Sequence, residues 1–118
     1  MRLPTLVVLA PLVSFAAADK LVVNVECNTI RCSYLDGRWH SAFGKYFVDG
    51  KDGCHDPPYV PGLNDLCLDW ALGRGHFYFD NQRKRCLSHH GRYDQPDYVC
   101  PPNTNCFRWT WDEVACTW

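Results

Sequence analysis

Apolar and polar positions alternate in two stretches of this chain. Leu66, Leu68, Trp70 and Leu72 stand between Cys67, Asp69 and Ala71, and Phe107, Trp109 and Trp111 stand between Arg108 and Thr110. A period of two sends neighbouring side chains to opposite faces, which predicts strands with one buried side. Leu21-Val22-Val23-Asn24-Val25 is rich in β-branched residues and predicts an opening strand. Gly73-Arg74-Gly75 turns the chain into His76-Phe77-Tyr78-Phe79, and Asp80-Asn81 turns it again, as in an antiparallel meander. Leu63, Leu66 and Trp70 also fall at helical spacing with Asn64 placed to cap. A helix over residues 63–72 is therefore the competing prediction, which the glycine turn and the aromatic segment after it disfavour.

Turn signals at Asp36-Gly37 and Asp49-Gly50 flank a further strand over residues 44–48, and residues 114–118 predict a short terminal one. Residues 52–62 carry Pro57, Pro58 and Pro61, so they predict an ordered loop, pinned by Cys54 and suited to recognition. The fold class expected is mainly β, a small antiparallel sheet or sandwich-like domain.

Residues 1–18 have a different pattern. Arg2 is followed by an apolar run from Leu6 to Phe15 and by Ala16-Ala17-Ala18 before the polar pair Asp19-Lys20. This is the layout of a secretory signal peptide with an A-x-A site, and cleavage is expected after Ala18. The run falls short of the roughly 20 apolar residues that span a bilayer, and Pro11 interrupts it. Residues 19–118 are then expected to form one secreted, extracellular domain, soluble and monomeric, without a membrane anchor.

Secretion changes the meaning of the cysteines. All eight, Cys27, Cys32, Cys54, Cys67, Cys86, Cys100, Cys106 and Cys116, lie beyond the leader. An even number in an oxidising compartment implies four disulfides, and no C-x-x-C knuckle suggests zinc or redox chemistry. Eight cysteines allow about a hundred pairings. The wide spacing of Cys54, Cys67 and Cys86 suggests bridges between distant strands.

Charge narrows the function. Without Arg2 the chain carries 11 basic and 13 acidic residues. This near balance disfavours a nonspecific nucleic-acid binder. Arg83-Lys84-Arg85 is the one local basic cluster, and Lys84-Arg85 also resembles a dibasic processing site. A secreted ribonuclease would need an acid, a base and a cation, roles open to His40 or His76, Glu26 or Glu113, and Arg74 or Arg85. No spacing fixes such a set, and His89-His90 read equally well as polar residues of a glycine-ended turn. Ser33, Ser41 and Ser88 lie outside any G-x-S-x-G elbow. Asp49-x-x-Asp52-Gly53 falls short of a calcium loop, so neither metal nor cofactor is expected. The tryptophans Trp39, Trp70, Trp109, Trp111 and Trp118 could stack on sugars, but alternation assigns Trp70, Trp109 and Trp111 to the core. A binding surface is expected at Asp56, Tyr59, Arg83, Lys84, Arg85 and Trp118.

The leader, the eight cysteines and the segments Cys67-Leu68-Asp69-Trp70, His76 to Gln82, Lys84-Arg85-Cys86-Leu87 and Trp111 to Trp118 resemble small secreted cysteine-rich proteins of fungi, many of them effectors of plant pathogens. The resemblance implies a virulence protein that binds a host protein, such as a protease or receptor, or a cell-wall glycan in the apoplast, with later entry into host cells left open. It carries no functional residue across. The cysteines are too widely spaced for a hevein-like chitin-binding knot. A small toxin ribonuclease and a carbohydrate-binding module are the alternatives.

Overall fold

The computed structural model describes residues 18–118, so all of the proposed leader except Ala18 lies outside the described residues. Among the described residues there are nine strands: β1 (Lys20–Cys27), β2 (Cys32–Ser41), β3 (Gly44–Val48), β4 (Gly53–His55), β5 (Leu63–Asp69), β6 (Arg74–Phe79), β7 (Arg85–Ser88), β8 (Tyr93–Asp94) and β9 (Asn105–Val114). All pair antiparallel in one sheet of order β3-β2-β1-β9-β7-β6-β5-β4, with β8 added beside β9. The mainly β, antiparallel fold expected from the sequence is present, as a single curled sheet.

The curl follows from which face is apolar. Leu21, Val23 and Val25 of β1 are buried while Val22 and Asn24 are less so, the period-two signature. Register sets Leu21 between Trp39 of β2 and Trp111 of β9, and all three are fully buried. Three strands separate β2 from β6, yet Trp39 meets Phe77 edge-on at 4.8 Å, so the sheet rolls its apolar face inward. Leu63, Leu66, Leu68, Leu87, Val48 and Val60 complete the core. Each such side chain contributes about 1.5–3 kcal/mol on leaving water.

The free edges, β3 and β4, are joined by residues 49–52, which Trp70 secures. Its indole Nε1 donates to Gly50 O at 2.9 Å, and its backbone N–H donates to Asp52 Oδ1 at 2.8 Å. Gly50 is required there, because a Cβ would lie 2.7 Å from the Val23 side chain.

Several local expectations need correction. Trp70 and Leu72 lie in the turn after β5, which ends at Asp69, and β6 already begins at Arg74. Gly73, at φ +68°, supplies the left-handed position of that turn. Asp36-Gly37 is not a turn. Val23 pairs with Gly37 and Asn24 with Leu35, so Asp36, at φ 51°, is the extra residue of a β-bulge inside β2. Residues 115–118 form no strand, since β9 has lost its β7 partner beyond Val114. The 52–62 loop begins with β4.

Four disulfides form: Cys27–Cys32, Cys54–Cys67, Cys86–Cys116 and Cys100–Cys106. The expectation of bridges between distant strands is corrected for Cys54 and Cys67, whereas Cys86 bridges from β7 to the segment beyond β9, 30 residues on. Cys27 and Cys32 are register partners in β1 and β2, and Cys54 and Cys67 are register partners in β4 and β5. Among the described residues no helix is long and apolar enough to cross a membrane, and with four disulfides the chain is compatible with an extracellular setting.

Candidate functional site

The antiparallel strands bring two sets of termini to opposite ends of the roll. One end collects the start of β1, the β2–β3 turn, the 56–62 loop and the β6–β7 turn. Between them opens a cleft of about 430 Å³, whose walls include Phe43, Tyr46, Val60, Pro61 and Phe79, with Asp19, Gln82 and Arg85 as polar members. Mouths of β-barrels are favoured places for ligands.

Each wall is held by its own local chemistry. Ser41 and Gly44 pair across a two-residue turn of Ala42 and Phe43, and Ser41 Oγ accepts from the Phe43 N–H at 3.1 Å. Tight hairpin turns favour Asn, Asp and Gly. Phe43 sits at such a tip with 90% of its surface exposed. On the other wall Val60 is buried, Leu63 N–H donates to Val60 O at 3.1 Å and Asp80 N–H to Gly62 O at 2.9 Å. The Cys54–Cys67 bridge ties down the strand before it. The loop is thereby fixed rather than loose, and it presents Tyr59 outward at 63% exposure. Tyr59 meets Phe47 edge-on at 6.1 Å, and Tyr46 borders both this shallow depression and the main cleft. Phe43 thus stands at the cleft itself, and Phe47 and Tyr59 line the neighbouring depression, the two joined through Tyr46 into an exposed aromatic rim.

An ion network lies under the rim. Arg85 grips Glu113 with both ends of its fork, Nε to Oε2 at 2.8 Å and Nη2 to Oε1 at 2.7 Å, and its guanidinium lies over the rings of Phe77 and Phe79. Asp19 Oδ2 accepts from Trp39 Nε1 at 3.0 Å and lies 3.9 Å from Arg85 Nη2. Burial pushes the Asp19 carboxyl above its ordinary value, against the Trp39 hydrogen bond and the Arg85 charge. Burial would also raise Glu113, but the hydrogen bonds from Arg85 and from the Asp19 N–H, with the Arg85 charge, outweigh it and hold that carboxyl low. The hydrogen bond to Glu113 keeps Arg85 firmly protonated despite its burial.

The opposite end is packed shut. His89, 9% exposed, lies among Trp70, Trp109 and Trp111 at ring separations of 5.6, 4.8 and 4.7 Å. Gly91 N–H donates to His89 Nδ1 at 2.8 Å, so Nε2 carries the proton, 3.4 Å from Trp70 O. His89 is therefore part of the packing, not a polar turn residue, while His90 is exposed.

The residues singled out from the sequence separate into different surroundings. Tyr59 and Arg85 belong to the mouth, and Asp56 is exposed on the loop that leads to it. The basic cluster divides. Arg83 is exposed, Lys84 Nζ donates to the backbone oxygen of Trp118, and Arg85 turns inward, which removes it from any dibasic site presented to a protease. Trp118 folds back half-buried beneath the Arg74 guanidinium, 5.4 Å from its ring. His40 and His76 follow or precede the buried Trp39 and Phe77, hence face outward, with β1, β9 and β7 between their strands. Both are held below the ordinary histidine value, by burial first and then by Lys20 and Lys45 for His40 and by Lys84 for His76. Glu26 accepts from the Tyr98 hydroxyl at 2.8 Å, and Glu113 is committed to Arg85.

Asp19, Phe43, Tyr46, Phe47 and Phe79 were not anticipated. Only Phe43 left a signal in the sequence, a large ring between the turn-forming Ser41 and Gly44. No family model, no curated protein and no solved structure matches this chain.

Proposed function

We propose that this chain is a secreted effector-type protein that acts outside the cell, in the apoplast of a host, by capturing a host protein such as a protease or receptor at the mouth of its rolled sheet. The observation that carries this is Phe43, 90% exposed on a tight turn at the rim of an apolar cleft, where it gains nothing for the fold. Contiguous exposed apolar rims on small proteins mark interaction surfaces, and rigid aromatic anchors dominate protein interfaces. The fixed 56–62 loop lowers the ordering cost of binding. The proposed leader and the four disulfides support export, and the latter suit a protein exposed to host proteases.

A protein partner fits better than a glycan. None of the five tryptophans is fully exposed, and Phe43 and Phe47 offer no hydrogen-bonding group to sugar hydroxyls. Apolar side chains of a polypeptide match both the rings and the cleft.

The test is capture from host extracellular fluid by the immobilised oxidised protein, run beside Phe43→Ala and Tyr59→Ala. A host protein retained by the parent and lost from both variants, with unchanged folding, is the expected result. Equal retention by all three would overturn the mouth as the site. Retention of chitin or cellulose in place of protein would favour a carbohydrate-binding module. RNA cleavage abolished by His40→Ala or His76→Ala would instead establish the ribonuclease.

A further inference from the structure

Among the described residues, Asp19 is the first that the sheet encloses. It is 6% exposed, while Ala18 beside it is exposed. Under the cleft two carboxylates, Asp19 and Glu113, share one guanidinium, Arg85. The group is one positive charge short of balance, in a setting where an unmatched carboxylate is costly. The Asp19 backbone nitrogen already points at the deficit, donating to Glu113 Oε1 at 3.1 Å. That nitrogen is the amide that cleavage after Ala18 would release.

We propose that removal of residues 1–18 converts the Asp19 amide nitrogen into an α-ammonium that pairs with Glu113 and completes the ion network under the cleft. This rests on the leader assigned under the proposed function. In the cleavage, water adds across the Ala18–Asp19 amide, the carboxylate departs with Ala18, and the amine remaining on Asp19 takes up a proton. The new cation keeps the existing donor direction toward Glu113 and gains two further N–H donors. The groups around it are Glu113 on β9, Arg85 on β7, the Asp19 carboxylate itself, the neutral Trp39 indole on β2 and, across the cleft, the Tyr46 phenol on β3. Two carboxylates against one guanidinium favour the charged amine, so its pKa lies above the ordinary range of about 7.7–8.0. The sign follows. A raised folded-state pKa gives stability that is present at neutral pH and lost as pH rises through that raised value. Processing thus leaves the cleft floor electrically balanced, suited to an uncharged apolar side chain of a partner.

The experiment uses mature chains assembled by ligating synthetic residues 19–26, with a free or an acetylated amine, to a chain beginning at Cys27, followed by oxidation. At pH 7 the free-amine protein should melt above the acetylated one by about 4 °C or more. The gap should close by about pH 10, once the amine has lost its proton. Glu113→Gln should remove the gap, and direct titration of the α-amine by NMR should place it above about 8. Equal melting at pH 7, a gap that survives Glu113→Gln, or an α-amine that titrates in the ordinary range would each overturn the proposal. N-terminal sequencing of protein released from a eukaryotic host expressing residues 1–118 tests the leader separately. A start other than Asp19 overturns the processing site, whatever the ligated chains show.

Discussion

The two ends of the rolled sheet are built from the same kinds of residue and handle them in opposite ways. At the closed end Trp70, Trp109 and Trp111 surround His89, and the polar atoms of His89 are answered by Gly91 and Trp70. At the mouth Phe43, Phe47 and Tyr59 keep much of their surface in water, and beneath them two carboxylates share the Arg85 guanidinium. Rings that fill space stabilise a fold, whereas rings held out on fixed turns do not. The closed end therefore carries stability and leaves the mouth free to carry recognition.

The largest expected effect breaks the closed end. Trp111 is fully buried, at the crossing of β1 with β9 and against Trp70 and His89, so Trp111→Ala should destabilise the protein by about 3–5 kcal/mol. That is a large share of the roughly 5–15 kcal/mol a domain possesses. Urea unfolding followed by intrinsic fluorescence would measure it, and a loss under 1 kcal/mol would mean that the aromatic plug is not structural.

Disulfides grade the comparison next. Cys86–Cys116 spans 30 residues and ties β7 to the chain beyond β9, while Cys27–Cys32 spans 5 within one hairpin. Loop-closure entropy assigns about 3.6 kcal/mol to the first and about 2 kcal/mol to the second. Paired Cys→Ser changes should therefore reduce the urea midpoint more at Cys86/Cys116 than at Cys27/Cys32. The reverse order would show that local hairpin geometry outweighs chain entropy here.

The same contrast explains what could be read from the residues. β1 announces itself by its β-branched residues, of which Val23 and Val25 are buried beside Leu21, and β9 by the unbroken alternation from Phe107 to Trp111, whose rings run from half-buried to fully buried. β2 hides because the bulge at Asp36 shifts its pattern by one residue and imitates a turn. Trp39, although fully buried, lies between Arg38 and His40 and looks solitary. Half of the mouth is legible, since prolines mark the 52–62 loop and Tyr59 stands in it. The other half depends on register. Asp19, Arg85 and Glu113 belong to three separate segments and meet only because β1 and β7 both pair with β9. Cysteine pairing is hidden for the same reason, because Cys54 and Cys67 become partners only through the β4–β5 register.

Removing a mouth ring should separate binding from stability. Phe43→Ala should leave stability within about 0.5 kcal/mol, the range of surface changes. Its partner affinity should fall by about tenfold or more, as for a truncated aromatic anchor. Calorimetry and surface binding on one preparation would measure both. A large stability loss without loss of binding would assign Phe43 to the fold and end the comparison on which the mouth rests.

The smallest effect lies in acid, where the two carboxylates of the mouth act in opposite directions. Glu113 is held low because the Arg85 and Asp19 N–H contacts outweigh its burial, so the stability it contributes is complete above its unfolded value of about 4.3 and is lost as pH falls through the folded one. Asp19 is raised, chiefly by burial, so the folded state takes up its proton first and gains relative stability as pH falls through that raised value. In the chain whose Asp19 nitrogen is an amide, as in the acetylated form, the two slopes partly cancel, and the acid limb from pH 6 to pH 3 should be shallow. Asp19→Asn leaves Glu113 alone and should make melting fall more steeply over that range. Glu113→Gln leaves Asp19 alone and should flatten the fall or turn it into a rise near the upper part of the range. Identical acid limbs in the parent and both variants would mean that solvent screens the network, and that the mouth, unlike the closed end, owes nothing to the groups beneath it.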